Sequence, residues 1–274
     1  MSFSDEDFTT ALRFRLGQHL CLEGQRCSNT YATPGPGHRS GDRCGGWLDA
    51  AGNHATNCFV GGRRKHTHDT QRDLWAQQLP GAGYLAHREQ HVPGWDRWVR
   101  QANGRWRVQR AILNLRLEAP PDAPITYVDV VVTHPTSAAY RAEAARENGY
   151  AAAKAEEGKH VRYPENGRVR GRLVALAVET YGGLGEEGLR FLRRAAERAC
   201  YGTTVLAALR GEGPQTALGA WLQRQSVALQ KSNAAAVKAA AGATPTAQEH
   251  PVPDLNETAL DVLASAEHLA ALAA

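Results

Sequence analysis

The residues best equipped for chemistry lie in two places. Four of the five cysteines, Cys21, Cys27, Cys44 and Cys58, fall before residue 60, with His38 and His54 among them. Cys44, His54 and Cys58 follow the spacing Cys-x9-His-x3-Cys. Clustered thiols and imidazoles in a protein that works inside a cell point to metal ligation rather than to a disulfide framework. A structural zinc ion takes four N or S donors in a closed tetrahedron. The fourth donor must come from upstream, where Cys27, Cys21 and His38 are available; the expected set is Cys27, Cys44, His54 and Cys58. His66 and His68 are further candidates but fit a basic helix start better. Residues 21–62 are rich in Gly and polar side chains and contain Pro34-Gly35-Pro36-Gly37. Such a stretch has too few large apolar residues to fold alone, and bound metal would supply the missing folding energy. The competing reading is that the cysteines are free and buried.

The second place is a strand. Ile125–Thr133, Ile-Thr-Tyr-Val-Asp-Val-Val-Val-Thr, is apolar or β-branched except for Asp129. A run of this kind belongs in the middle of a sheet, covered on both faces. Its lone carboxylate is costly to bury unless a metal or hydrogen bonds compensate. The plain alternative is a structural Asp satisfied by backbone groups or an Arg.

The elements that must position these residues form an α/β (α+β) pattern. Phe8, Leu12 and Leu16 give residues 1–20 the spacing of a short amphipathic helix. A helix over about His68–Leu79 is ended by Pro80-Gly81. Three strand-like runs follow: Tyr84–Val92, Val108–Leu117 and Ile125–Thr133. In the second, Ile112, Asn114 and Arg116 share one face and Leu113, Leu115 and Leu117 the other. Pro120-Pro121-Asp122 makes the turn into the third. An Ala-rich helix spans about Ser137–Lys159, with Gly149 as a break point, and a fourth strand covers Leu173–Thr180. Helices over about Glu186–Tyr201 and Gln215–Ala235 complete the core, whose order is helix, three strands, helix, strand. The expected division is 1–66 for the N-terminal helix and zinc module, 67–238 for the core with its C-terminal helices, and 239–274 for a linker and a last helix over Leu255–Ala274.

Charge adds a partner class. The net charge of +4 says little, but Val60–Arg110 holds ten Lys/Arg against four acids, together with Trp75, Trp95, Trp98 and Trp106. Basic groups interleaved with aromatics suit a phosphate-binding surface, although a solvated basic face has the same composition. Arg63, Arg64, Lys65, Arg105, Arg107 and Arg162 are the candidates for DNA contact. No apolar run reaches the length of a membrane span. The acidic start, Ser4-Asp5-Glu6-Asp7, lacks an apolar signal core, so the expected location is intracellular, in cytoplasm or nucleus, with the nucleus favoured.

Taken in order, several strings resemble one family. Cys44-Gly45-Gly46-Trp47 through His54 to Cys58, followed by Arg64-Lys65-His66, looks like its Cys-Cys-His-Cys motif. Val128-Asp129-Val130-Val131-Val132-Thr133-His134-Pro135, Lys159-His160-Val161-Arg162-Tyr163 and Val178-Glu179-Thr180-Tyr181-Gly182-Gly183 resemble its later motifs. The family is the restriction-like endonuclease domain at the C-terminal end of site-specific non-LTR retrotransposon reverse transcriptases. The resemblance covers roughly residues 8–235 and includes no polymerase domain, which implies either an excised domain or a stand-alone relative.

The family's core is similar to PD-(D/E)XK nucleases. It implies a metal-dependent DNA endonuclease that nicks its target, a catalytic Mg²⁺ beside the structural zinc, and DNA as partner, with RNA or a reverse transcriptase domain as further partners. Carboxylates at the bend of a sheet hold Mg²⁺, which polarises the scissile phosphate and generates hydroxide. The resemblance makes Asp129 the second acid and Glu89, in His87-Arg88-Glu89-Gln90-His91, an assisting acid. A lysine two residues after the second acid is missing, since Val131 stands there. Lys159, in the setting Lys-x-x-Arg-Tyr, takes that role from the following helix, with Lys154 as the fallback. The position of the first acid holds Asn114, which keeps the shape of Asp without its charge and would hold Mg²⁺ weakly. An inactivating Asp→Asn exchange, a naturally impaired chain and a misplaced motif all fit this. A zinc-containing DNA-binding module without catalysis is the rival reading.

Overall fold

The computed structural model describes residues 3–119, 124–165, 167–200 and 213–242. The turn at Pro120-Pro121-Asp122, the linker beyond residue 242 and the helix expected over Leu255–Ala274 therefore lie outside the described residues.

A mixed four-stranded sheet organises the chain. Its strands are β1 (Leu85–His91), β4 (Ile112–Glu118), β5 (Thr126–Thr133) and β6 (Arg172–Glu179), in the order β1-β4-β5-β6. The first three pair antiparallel and β5 pairs parallel with β6. A parallel neighbour requires a crossover. It is made by a short helix α4 (Arg141–Ala144) and by α5 (Tyr150–Arg162), which begins at Gly149 in the left-handed conformation. The single helix expected over Ser137–Lys159 is thus two. A positive φ at Gly149 costs little because it has no Cβ.

One face of the sheet carries α3 (Arg63–Gln78), α6 (Glu186–Cys200) and α7 (Pro214–Ala240). Trp75 and Leu79, Phe191 and Leu192, and Trp221 and Leu229 pack there on Leu115, Leu117, Val128, Val130 and Leu176. β5 and β6 are buried almost throughout, as their unbroken apolar runs require. Removing a fully buried side chain such as Leu176 would cost about 2–5 kcal/mol. The helix expected to end near Ala235 continues to Ala240. Among the described residues, no helix is long and apolar enough to cross a membrane.

Two expectations are corrected. Val108–Leu117 is two strands rather than one. β2 (Arg97–Arg100) and β3 (Trp106–Gln109) form a separate antiparallel ribbon between β1 and β4, and the chain enters the sheet only at Ile112. Asp96 fixes this corner by accepting from the backbone N–H of Ala111 (2.8 Å) and from His91 (2.9 Å). In helix α1 (Asp5–Arg15) the buried residues are Ala11 and Phe14, while Phe8, Leu12 and Leu16 are exposed. Phe14 stacks on Tyr181 (4.9 Å) and Asp7 pairs with Lys238 of α7 (2.6 Å), so tertiary partners set the helix's rotation.

Residues between α1 and α3 form a module with isolated β-bridges and the five-residue helix α2 (Asn53–Asn57). Its small core of Leu22, Cys27, Leu48, Ala55, Cys58 and Val60 closes against Val237 and Ala240 at the end of α7.

Candidate functional site

The module brings together the four ligands expected from sequence. The Sγ atoms of Cys27, Cys44 and Cys58 and a ring nitrogen of His54 lie within 4.8 Å of one another. Cys27 Sγ is 3.8 Å from Cys58 Sγ, Cys58 Sγ is 3.7 Å from Cys44 Sγ, and Cys44 Sγ is 3.5 Å from His54 Nε2. A regular tetrahedron with Zn–S ~2.3 Å and Zn–N ~2.05 Å separates two sulfurs by ~3.8 Å and sulfur from nitrogen by ~3.6 Å. The quartet can therefore hold a metal ion such as zinc. Cys21 is exposed and His38 stacks on Tyr31 with ring centroids 3.6 Å apart, so neither competes for the fourth position. His68 lies 3.1 Å from the carbonyl of Val130 and serves to tie α3 to β5.

Backbone geometry builds the quartet. Cys27 N–H donates to the carbonyl of Gly46 (2.8 Å) and Cys44 N–H to that of Asn29 (2.7 Å), placing Cys27 and Cys44 on facing segments. Asp49 caps α2 by accepting from the backbone N–H groups of Asn53 (3.0 Å) and His54 (2.7 Å), which aims the imidazole inward. Burial alone would raise the Asp49 carboxyl, but those donated bonds outweigh it and hold the group below its usual range. Gly46 is required by the ring's approach: a Cβ there would lie 2.5 Å from Cε1 of His54. Burial, with the neighbouring Cys58 and Cys44 sulfurs, pushes the Cys27 thiol up to about 12. A cation reverses that preference by favouring the thiolate.

The strand residues form a second, different arrangement. In the β1–β4 register Arg88 faces Leu115 and Gln90 faces Leu113, so Glu89 falls in the row of Asn114. In the β4–β5 register Leu115 faces Val128, so continuing the ladder by one residue sets Asn114 in the row of Asp129. The ladder is broken along this row. Glu89 has φ +54°, and Asn114 Oδ1 accepts the backbone N–H of Val130 (2.7 Å) where a backbone rung would otherwise run. β4 bends there: Leu113 leaves the face of Leu115 and Leu117 and packs instead with Trp95, Tyr127 and Tyr163.

Asp129 is 4% exposed, and its Oδ2 lies 2.7 Å from Nζ of Lys159 on α5. The ammonium sits off the direction of a hydrogen bond, so Oδ2 keeps a charge partner but no directed donor. Tyr163, one turn beyond Lys159, has its phenol pushed up by burial and by the Asp129 charge. Lys154 pairs with Glu157 (2.6 Å) on the exposed side of α5. Glu89 is half exposed and ion-paired with Arg72 of α3. The structure thus joins Asp129 with Lys159, puts Asn114 beside them through Val130, and turns Glu89 away.

The cationic candidates divide into two groups. Arg63, Arg64 and Lys65 open α3, whose first turn contains no acid; Arg64 lies over the Phe59 ring and Lys65 pairs with Asp69. Arg105 and Arg107 are exposed on the ribbon, and Arg162 lies over the Tyr163 ring (5.2 Å).

Sequence reasoning missed the link between the two arrangements. His134, 5% exposed at the end of β5, lies 2.7 Å from Thr180 Oγ1 and 3.0 Å from Asn53 Oδ1, next to His54 of the quartet. Burial holds its pKa down at about 4, the charge of Asp49 opposing that and Arg64 adding to it. His134 lies inside a quoted motif, but pairing it with Asn53 requires a contact across 81 residues.

No protein-family model matches this chain, and no curated protein matches it.

Proposed function

We propose that this chain is a DNA endonuclease domain of the restriction-like type, held at its N-terminal side by a structural zinc, whose cutting centre lacks one of its two acids. The observation that carries the reading is the buried pairing of Asp129 with Lys159 from the following helix, at the bend of β4 beside Asn114. Lysine at that place suits the orientation of a water or the stabilisation of charge developing on a phosphoryl group. Asp129 holds the lysine in position.

The residues present do not make a good Mg²⁺ site. The ion prefers six oxygen donors in near-octahedral geometry, usually with at least one carboxylate and several waters. Asn114 Oδ1 is committed to the Val130 N–H, Glu89 to Arg72 and Asp129 to Lys159. A carboxylate at position 114, directly beside Asp129, would change that balance. The chain as written is therefore expected to bind DNA and to cut it poorly. The same three commitments favour, as a second reading, a DNA-binding module with no cleavage role.

Both readings require DNA binding, which is tested first. Affinity for duplex is expected to fall steeply with salt, because Lys and Arg displace condensed counterions. Replacing Arg63, Arg64 and Lys65 by Ala is expected to flatten the slope of log K against log salt by about 2–3. An unchanged slope would remove the start of α3 from the binding face, and no binding at all would remove both readings.

A further inference from the structure

The β2–β3 ribbon is not needed to complete the sheet, and its composition is unlike that of a surface hairpin left in water. Residues 97–110 contain five arginines and no acid. The register sets Trp98 against Val108 and Arg100 against Trp106. In an antiparallel pair these four share one face, with the two indoles as diagonal neighbours. Trp98 is 67% exposed, Trp106 63% and Val108 39%. On the other face Arg97 is held by Gln109 (2.9 Å). The turn is fixed as well: Gly104 N–H donates to the carbonyl of Gln101, Gln101 N–H to that of Arg105, and Arg105 N–H to Asn103 Oδ1.

The ribbon is rigidly rooted next to the candidate centre. Trp95, immediately before it, is buried, donates from Nε1 to the carbonyl of Pro164 (2.9 Å) and packs edge-on to Tyr127 (5.4 Å) and against Tyr163 (5.6 Å). Tyr163 is the residue that feels the Asp129 charge.

We infer that the Trp98–Trp106 face of the ribbon is a binding platform for an unpaired DNA strand, with the indoles stacking on bases and with Arg100 on that face and Arg105 at the turn following the phosphates. The occupant follows from the chemistry. Arg100 and Arg105, for which the described residues supply no acid, call for a polyanion. Flat exposed indoles call for π-faces, which an intact duplex keeps inside its stack while it shows only base edges and phosphates. Protein interfaces also enrich Trp and Arg, so a protein is the occupant left standing if oligothymidylate does not bind. The platform rests on the DNA reading above and extends it: the domain would grip single-stranded DNA next to the bond it acts on.

The test uses the full chain and a labelled oligothymidylate of about 16 nucleotides, with blunt duplex and oligouridylate of the same length as the other arms. The oligothymidylate is expected to bind and to quench tryptophan fluorescence. Trp98→Ala with Trp106→Ala is expected to weaken that binding by roughly a hundredfold while changing duplex affinity by less than about threefold. Trp98→Phe with Trp106→Phe is expected to recover part of the loss, because the rings still stack. An unchanged melting temperature in both variants separates lost stacking from lost folding. Arg100→Ala with Arg105→Ala is expected to lower the single-strand salt slope by about 1. Oligothymidylate affinity that ignores the tryptophan exchange, equal losses on duplex, or tighter binding of the oligouridylate would overturn the platform. These outcomes can arise while duplex is still bound by the chain and nicked by Asn114→Asp, so failure of the platform is distinct from failure of the endonuclease reading.

Discussion

The two candidate centres are organised in opposite ways. In the N-terminal module four soft or imidazole donors converge at distances that suit a metal ion, and their nearest partners are one another. Along the strand row each polar group is turned to its own protein partner: Glu89 to Arg72, Asn114 to the Val130 N–H, Asp129 to Lys159. The first arrangement can carry thiolates only around a cation, since buried thiols do not ionise side by side. The second is already neutralised. Removing metal should therefore damage the module severely and leave the strand row almost untouched.

The largest expected effect tests the module. The protein is expected to carry about one equivalent of zinc, and Cys58→Ser to lose it and unfold residues 21–66, because structural zinc contributes on the order of 10 kcal/mol of folding energy. Metal analysis and the chemical shifts of the module check this. Full zinc retention in Cys58→Ser would remove the ligand assignment. A persisting cooperative transition from the sheet would sharpen the contrast between the two regions.

A smaller effect probes the joint between them. His134 has a pKa of about 4 against an ordinary 6.5, so it is kept neutral in the folded state and takes up a proton when the chain unfolds. The unfolded state thus binds more protons between those values, and stability falls as pH drops from 6.5 toward 4. The 2.5-unit difference amounts to about 3 kcal/mol for a group this buried. Denaturation of the chain and of His134→Gln across pH 4–7 is expected to show a shallower fall in the variant. Loss of zinc at acid pH affects both chains and cancels in the difference. Parallel curves would assign the joint no titrating histidine.

What the sequence reveals of the two regions differs for the same physical reason. Cys44, His54 and Cys58 are close in sequence, and their chemistry has few other uses, so the quartet is legible with one upstream choice to make. Asp129 stands out because a single charge interrupts an apolar strand. Where Glu89 points is not legible: it depends on Arg72 in a different element and on a left-handed backbone at a non-glycine residue. The ribbon was hidden because Val108 and Ile112 read as one alternating run. The Asn103-Gly104 pair, a hairpin turn signal, marks it in retrospect. Phe8, Leu12 and Leu16 have perfect helical spacing and yet face outward, because Phe14 and Asp7 find partners on other elements. Local pattern identifies an element, while its rotation belongs to tertiary contacts.

On the proposed reading, a single missing carboxylate separates this chain from an active nuclease. The direct measurement is the rate of plasmid nicking in Mg²⁺ by the chain and by Asn114→Asp. The exchange adds a hard, charged oxygen donor beside Asp129, in a side chain still able to accept the Val130 N–H. Nicking is expected to rise by on the order of a hundredfold or more. Within that variant, Asp129→Ala is expected to abolish nicking, and Lys159→Ala to slow it without loosening DNA binding. Strong nicking by the chain as written, insensitive to Asp129→Ala, would contradict the account.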